Sequence, residues 1–92
     1  MKKRVECRIT GRVQMVMFRD FAKRNARRLG LTGFVKNNPD GSVTVVAEGE
    51  NRDLQILLEK LKQGPILARV DHVEAVWTDA RGDFSDFYIV YS

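Results

Sequence analysis

The feature that most restricts the fold is a change of apolar spacing that occurs twice in the same order. Val5, Cys7 and Ile9 alternate with Arg4, Glu6 and Arg8, and a period of two marks a half-buried strand. Gly11 ends that run. Phe18, Phe21, Ala22, Asn25, Ala26 and Leu29 then recur at spacings of three and four, which makes one stripe of a helix over about residues 19–29. Lys23, Arg24, Arg27 and Arg28 fall largely outside the stripe. Gly30 stands where a helix C-terminus favours glycine.

Residues 31–37 read as a second strand. Asn38-Pro39-Asp40-Gly41 follows, a tight turn in which proline presets φ and glycine accepts positive φ. Residues 42–48 are rich in β-branched side chains and form the other arm of a hairpin, closed by Gly49. Asn51 can cap a second helix, whose stripe is Leu54, Leu57, Leu58 and Leu61 and whose stop is Gly64-Pro65. Val73, Ala75 and Trp77 alternate in a fourth strand. Residues 79–83 form a polar connection, and Phe87, Ile89 and Tyr91 alternate in a last strand that reaches the C-terminus. The order is β-α-β-β-α-β with room for a short extra edge strand. It predicts an α+β ferredoxin-like βαββαβ sandwich, with two helices on one face of an antiparallel sheet.

Ninety-two residues argue for a single domain over 1–92. No apolar run approaches the roughly 20 residues a membrane span needs. The basic start lacks the apolar segment of a secretory signal. The single cysteine, Cys7, has no partner within the chain and sits in a strand pattern as a small core residue. A cytoplasmic protein is expected, and a monomer. The net charge of +4 is unevenly spread. Residues 1–36 hold eleven Lys/Arg against Glu6 and Asp20, a balance of +9; the remainder holds five against ten acids, a balance of −5. Charge segregated this way steers anions towards the N-terminal half.

Several chemistries find no support. The one histidine, His72, is far in sequence from the first loop and reads as a surface residue. One Cys and one His do not make a zinc site. Asp83 and Asp86 sit in the polar connection and read as solvated. The GxxxxGK[ST] loop is absent. What remains is the segment Gly11 to Arg19, "GRVQMVMFR". A strand that ends at Gly11 and a helix that begins near Arg19 place residues 12–18 over a helix N-terminus. Free N–H groups and the positive end of the dipole bind anions there. Arg19 can add a forked, permanently charged contact to two phosphate oxygens.

The residues of this loop and of the hairpin carry a resemblance. Gly11, Val13, Gln14, Val16, Phe18 and Arg19 form one block. Leu29, Gly30, Leu31, Gly33, Val35, Asn37, Asp40, Gly41 and Val43 form another, with Phe34 where tryptophan is usual. Together they resemble the acylphosphatase family, strongly over about residues 5–50 and in element order beyond. The resemblance implies hydrolysis of the carboxyl–phosphate anhydride of acyl phosphates without a metal, a cofactor or a covalent intermediate. It implies that Gln14, Met15, Val16, Met17, Phe18 and Arg19 hold the phosphate, and that Arg19 and Asn37 are catalytic. Asn37 would orient the attacking water. The implied partners are a small acyl phosphate and inorganic phosphate or other anions, with no membrane.

Met15 and Met17 stand where the family's loop usually holds glycine. A left-handed conformation at Met15 costs about 1–2 kcal/mol. The thioether can cover the mouth of the pocket or pack against the acyl part of a substrate. Two other readings therefore stay open. One is a weakly active or inactive anion-binding relative. The other is an RNA-binding module, which the element order and basic N-terminal half permit. Nucleic acid is not the expected partner, because the third strand lacks the stacking aromatics of RNA-binding sheets.

Overall fold

A computed structural model describes residues 1–91, so the end of the expected last strand, Ser92, lies outside the described residues. The elements are β1 (Lys2–Arg12), α1 (Phe18–Arg28), β2 (Thr32–Asn37), β3 (Val43–Glu50), α2 (Asn51–Gln63), β4 (Arg69–Asp79) and β5 (Phe87–Ile89). They build one five-stranded sheet in the order β4-β1-β3-β2-β5. The ferredoxin-like expectation holds, with one difference at the edge. β1 pairs antiparallel with β3 and β4, and β2 with β3, but β5 runs parallel to β2. The sheet is therefore mixed.

Strand register sorts the side chains into two faces. Val5, Cys7 and Ile9 lie opposite Ala47, Val45 and Val43, and all six are buried beneath the helices. Helix α1 contributes Phe18, Ala22 and Ala26, and α2 contributes Leu54, Leu57, Leu58 and Leu61. Each large apolar side chain removed from water stabilises the fold by roughly 1.5–3 kcal/mol. Cys7 belongs to this core, where burial pushes its thiol up to about 12 and leaves it unreactive.

The other face carries ions rather than a second apolar layer. Arg4 bonds Glu48 and Glu6, each at 2.9 Å, and lies 3.7 Å from Asp83. Burial alone would raise the Glu48 carboxyl. The Arg81 and Gly82 N–H groups and the Arg4 guanidinium together hold it below its usual range. The connection after β4 is thus folded onto the sheet. Asp86 is likewise engaged, with Arg27 at 3.2 Å.

Other details depart from the sequence reading for local reasons. Asn51 is the first helical residue rather than the cap; Glu50 holds the cap position in an extended conformation, and no side chain bonds the α2 end. Gly49 does not close β3 but pairs with Lys3. β4 starts at Arg69 rather than near His72. As an edge strand it leaves Ala75 and Trp77 exposed, while Val73 still packs on the core. β5 stops at Ile89, so Tyr91 leaves the strand.

The turn from β1 into the first loop depends on residue 11. The register of β1 against β4 shifts between Thr10 and Gly11, a bulge that re-aims the chain. Gly11 has φ of +127°, and a Cβ there would stand 2.2 Å from the Arg69 carbonyl oxygen. Gly30 also has positive φ, +73°, but open space around it. Gly11→Ala is expected to cost about 2–3 kcal/mol, and Gly30→Ala about 1 kcal/mol. Thermal denaturation of both variants checks the order; equal losses would mean that the Arg69 backbone yields to the added methyl group.

Candidate active site

Beyond the bulge, the chain crosses from β1 to α1 through residues 13–17 with alternating anchors. Val13, Val16 and Phe18 are buried, whereas Met15 and Met17 face solvent. Gln14 is fastened sideways. Its Nε2 donates to the Asn38 carbonyl at 2.8 Å and to the Ser42 carbonyl at 2.9 Å. These carbonyls belong to the β2–β3 turn, which Asp40 stiffens by accepting from the Ser42 N–H and hydroxyl. Asn38 adds bonds to the Ser42 and Thr44 hydroxyls. The loop before α1 and the turn after Asn37 are therefore one tied unit.

The backbone of this loop is unusual at both methionines. Met15 has φ of 60° and Met17 has φ of 66°. Both sit in the left-handed region, which costs a side-chain-bearing residue about 1–2 kcal/mol. The left-handed expectation for Met15 thus holds, and it extends to Met17. Met17 occupies the cap position of α1 and offers no side-chain acceptor. Its carbonyl accepts the first helical bond, from the Phe21 N–H at 3.0 Å. Among the described residues, the main-chain N–H groups of residues 14–20 meet no acceptor. Their donors, at the positive end of α1, are free for an anion.

Three side chains complete the site. The Arg19 guanidinium stands 5.1 Å from the centre of the Tyr91 ring, a cation–π contact that holds it without neutralising it. Asp20 does not pair with Arg19; it pairs with Arg24 at 2.9 Å, one turn along α1. Asn37 ends β2 on the helix-covered face, beside Val43. Its Oδ1 is buried and has no hydrogen-bond partner. An orphaned buried acceptor is costly, and such atoms mark places where a ligand or water bonds. Arg19 and Asn37 line one cleft of about 430 Å³ with Val13, Met15, Met17, Phe18, Asp20, Ile89 and Tyr91.

Of the residues expected to bind phosphate, Met15, Met17, Phe18 and Arg19 thus line the cleft. The Gln14 side chain and the buried Val16 do not, and their contribution there is limited to main-chain N–H groups. His72 is exposed on β4 and is not in the cleft, and no grouping of His, Cys, Asp or Glu suited to a metal occurs among the described residues. Tyr91 and Ile89 were not singled out for the site. Their alternation with Phe87 signalled a strand, and nothing local signals that the chain leaves it to run beneath Arg19. The open face of the two central strands presents Arg4, Glu6 and Arg8 beside Thr44, Val46 and Glu48. It has no aromatic platform there, and its carboxylates do not favour RNA. No helix among the described residues is long and apolar enough to cross a membrane.

The comparisons agree with this geometry. The acylphosphatase family pattern matches residues 5–89. An acylphosphatase of Salinibacter ruber is 50% identical over 88 residues, 96% of this chain and 93% of that protein. One of Thermus thermophilus is 51% identical over 74 residues, 80% of this chain and 84% of the relative. The crystal structure of acylphosphatase from Bacillus subtilis superposes with a TM-score of 0.94 at 34% identity, covering 97% of this chain and 99% of that one. Matching along nearly the whole length in both sequence and fold, the chain belongs to the acylphosphatase family.

Proposed function

We propose that this protein hydrolyses acyl phosphates to a carboxylate and inorganic phosphate, with residues 1–92 acting as a single domain. The observation that carries the reading is the pairing of opposites in one cleft: unsatisfied N–H donors and a guanidinium face a buried, unpartnered Asn37 Oδ1. Donors of that kind suit a phosphoryl group. A lone acceptor beside them suits a water molecule.

The phosphoryl oxygens bond the N–H groups of the 13–18 loop and the first turn of α1. Arg19 binds two of them in a fork. Asn37 Oδ1 accepts a proton of the nucleophilic water and sets its line of approach to phosphorus. A bond forms from the water oxygen to phosphorus as the bond from phosphorus to the acyl oxygen breaks. That electron pair leaves with the carboxylate, and the water proton passes to a phosphoryl oxygen. The leaving group is good, so the chain mainly supplies orientation and stabilises charge on the equatorial oxygens. Neither task needs a titrating base. Inorganic phosphate, the product, competes for the same donors. A cytoplasmic monomer fits the reading, since every group named comes from one chain and Cys7 is a free buried thiol.

The reading predicts a division between the two side chains. Arg19→Ala is expected to abolish benzoyl phosphate hydrolysis and to weaken inhibition by phosphate. Asn37→Ala is expected to lower kcat by about 10²–10³-fold while leaving phosphate inhibition nearly intact, because it removes a contact to water alone. Steady-state kinetics with phosphate as inhibitor separates the two. An Asn37→Ala variant with wild-type kcat would remove the water-orienting role.

The methionines give a further expectation. Met15→Gly relieves the left-handed strain and is expected to raise stability by about 1 kcal/mol. With the loop relaxed around its N–H groups, turnover of acetyl phosphate is expected to rise. Thermal melts and kcat for acetyl phosphate test both halves. Unchanged or reduced turnover would show that the loop accommodates the methionine at no catalytic cost.

A further inference from the structure

Met15 is 99% exposed and Met17 67% exposed, and each holds a left-handed backbone conformation at the edge of the cleft. An apolar side chain left in water on a strained residue does nothing for folding, and glycine would serve better at either position. Their packing within the chain therefore does not account for them. Their place in the cleft does, because both line it.

The direction of the reaction says what would meet them. Displacement at phosphorus puts the leaving oxygen opposite the incoming water. The water is held at the buried Asn37 Oδ1, at the floor of the cleft. The acyl group then extends away from that floor, towards the solvent edge. Met15, Met17 and Tyr91, the last 74% exposed, are the large apolar side chains lining the cleft that remain open to solvent. Arg19 is committed to the phosphoryl oxygens, and Asp20 is paired with Arg24. Among the lining residues no cation is left to receive a second carboxylate on the acyl chain.

We propose that Met15 and Met17 form an acyl-group subsite that selects acyl phosphates with a bulky, uncharged, apolar or aromatic acyl part over those with a small one. The inference rests on the hydrolase reading above and names its substrate class. Methionine suits such a subsite, because its unbranched thioether adapts to irregular apolar shapes and packs well on aromatic rings. An aromatic acyl group would also cover the methionine from water, which the folded chain alone does not do.

The test is the ratio of kcat/KM for benzoyl phosphate to that for acetyl phosphate in wild type, Met15→Gln and Met17→Gln. Glutamine keeps the length of the side chain and the strained backbone but loses the apolar surface. A change in loop geometry alters both substrates alike and cancels in the ratio; a subsite does not. Each variant is expected to lower the ratio by about fivefold, and the double variant by more than tenfold, mainly through a higher KM for benzoyl phosphate. Inhibition by inorganic phosphate is expected to stay within about twofold, because the cradle is unchanged. A ratio equal to wild type in the double variant overturns the subsite and leaves the hydrolase standing. Hydrolysis of neither substrate by the wild-type protein overturns the hydrolase reading and the subsite with it.

Discussion

The close passage of the β1 backbone against Arg69 is the constraint on which the site depends. At Gly11 there is room for hydrogen but not for a methyl group, because a Cβ would meet the Arg69 carbonyl oxygen. The register shift at that point turns the end of a central strand out of the sheet plane and over the covered face. Without it, β1 would run on straight, and residues 13–17 would not reach the N-terminal end of α1. The bulge is thus what converts a sheet-ending strand into the wall of a cleft. It is also held from both sides, since β1 lies between β3 and β4.

A loop aimed this way still has to keep two methionines in a conformation they disfavour. The combined cost is about 2–4 kcal/mol. Against it stand three buried anchors, Val13, Val16 and Phe18, each contributing roughly 1.5–3 kcal/mol on burial. The two bonds from Gln14 to the β2–β3 turn add to that. Burial wins, and the anchors alternate with the strained residues, so neither methionine can relax without lifting a neighbour out of the core. The same alternation turns Met15 and Met17 outward. Strain and exposure at these positions have one cause.

What could be read from the residues follows from which signals are local. The helical stripes, the Asn38–Gly41 turn and the core strands announce themselves through spacing, because each buries one face. Gly11 and Arg19 framed the loop because a strand and a helix must join there. Other features depend on partners distant in sequence. Arg4 and Glu48 each read as one polar residue in an alternation, and only the β1–β3 register makes them a buried pair. Asn51 looked like a cap because of its type, yet β3 runs straight into α2 and leaves the cap position to Glu50. The parallel β5 edge and the turn of Tyr91 towards Arg19 are decided by what the chain packs against after residue 86. Asn37 was singled out by resemblance to a family. Nothing in its neighbours tells that its oxygen would be buried without a partner.

That orphaned oxygen also distinguishes α1 from an ordinary helix start. Both helices begin without a side-chain cap, so free N–H groups alone do not mark a binding site. At α1 they are joined by an unpaired guanidinium resting on an aromatic ring and by an acceptor sealed from bulk water. Donors and guanidinium call for negative charge; the acceptor calls for a proton donor beside it. An anion alone would answer the first demand and repel the carbonyl of Asn37. A phosphoryl group with a water molecule at its far side answers both, and it places the nucleophile where displacement can occur.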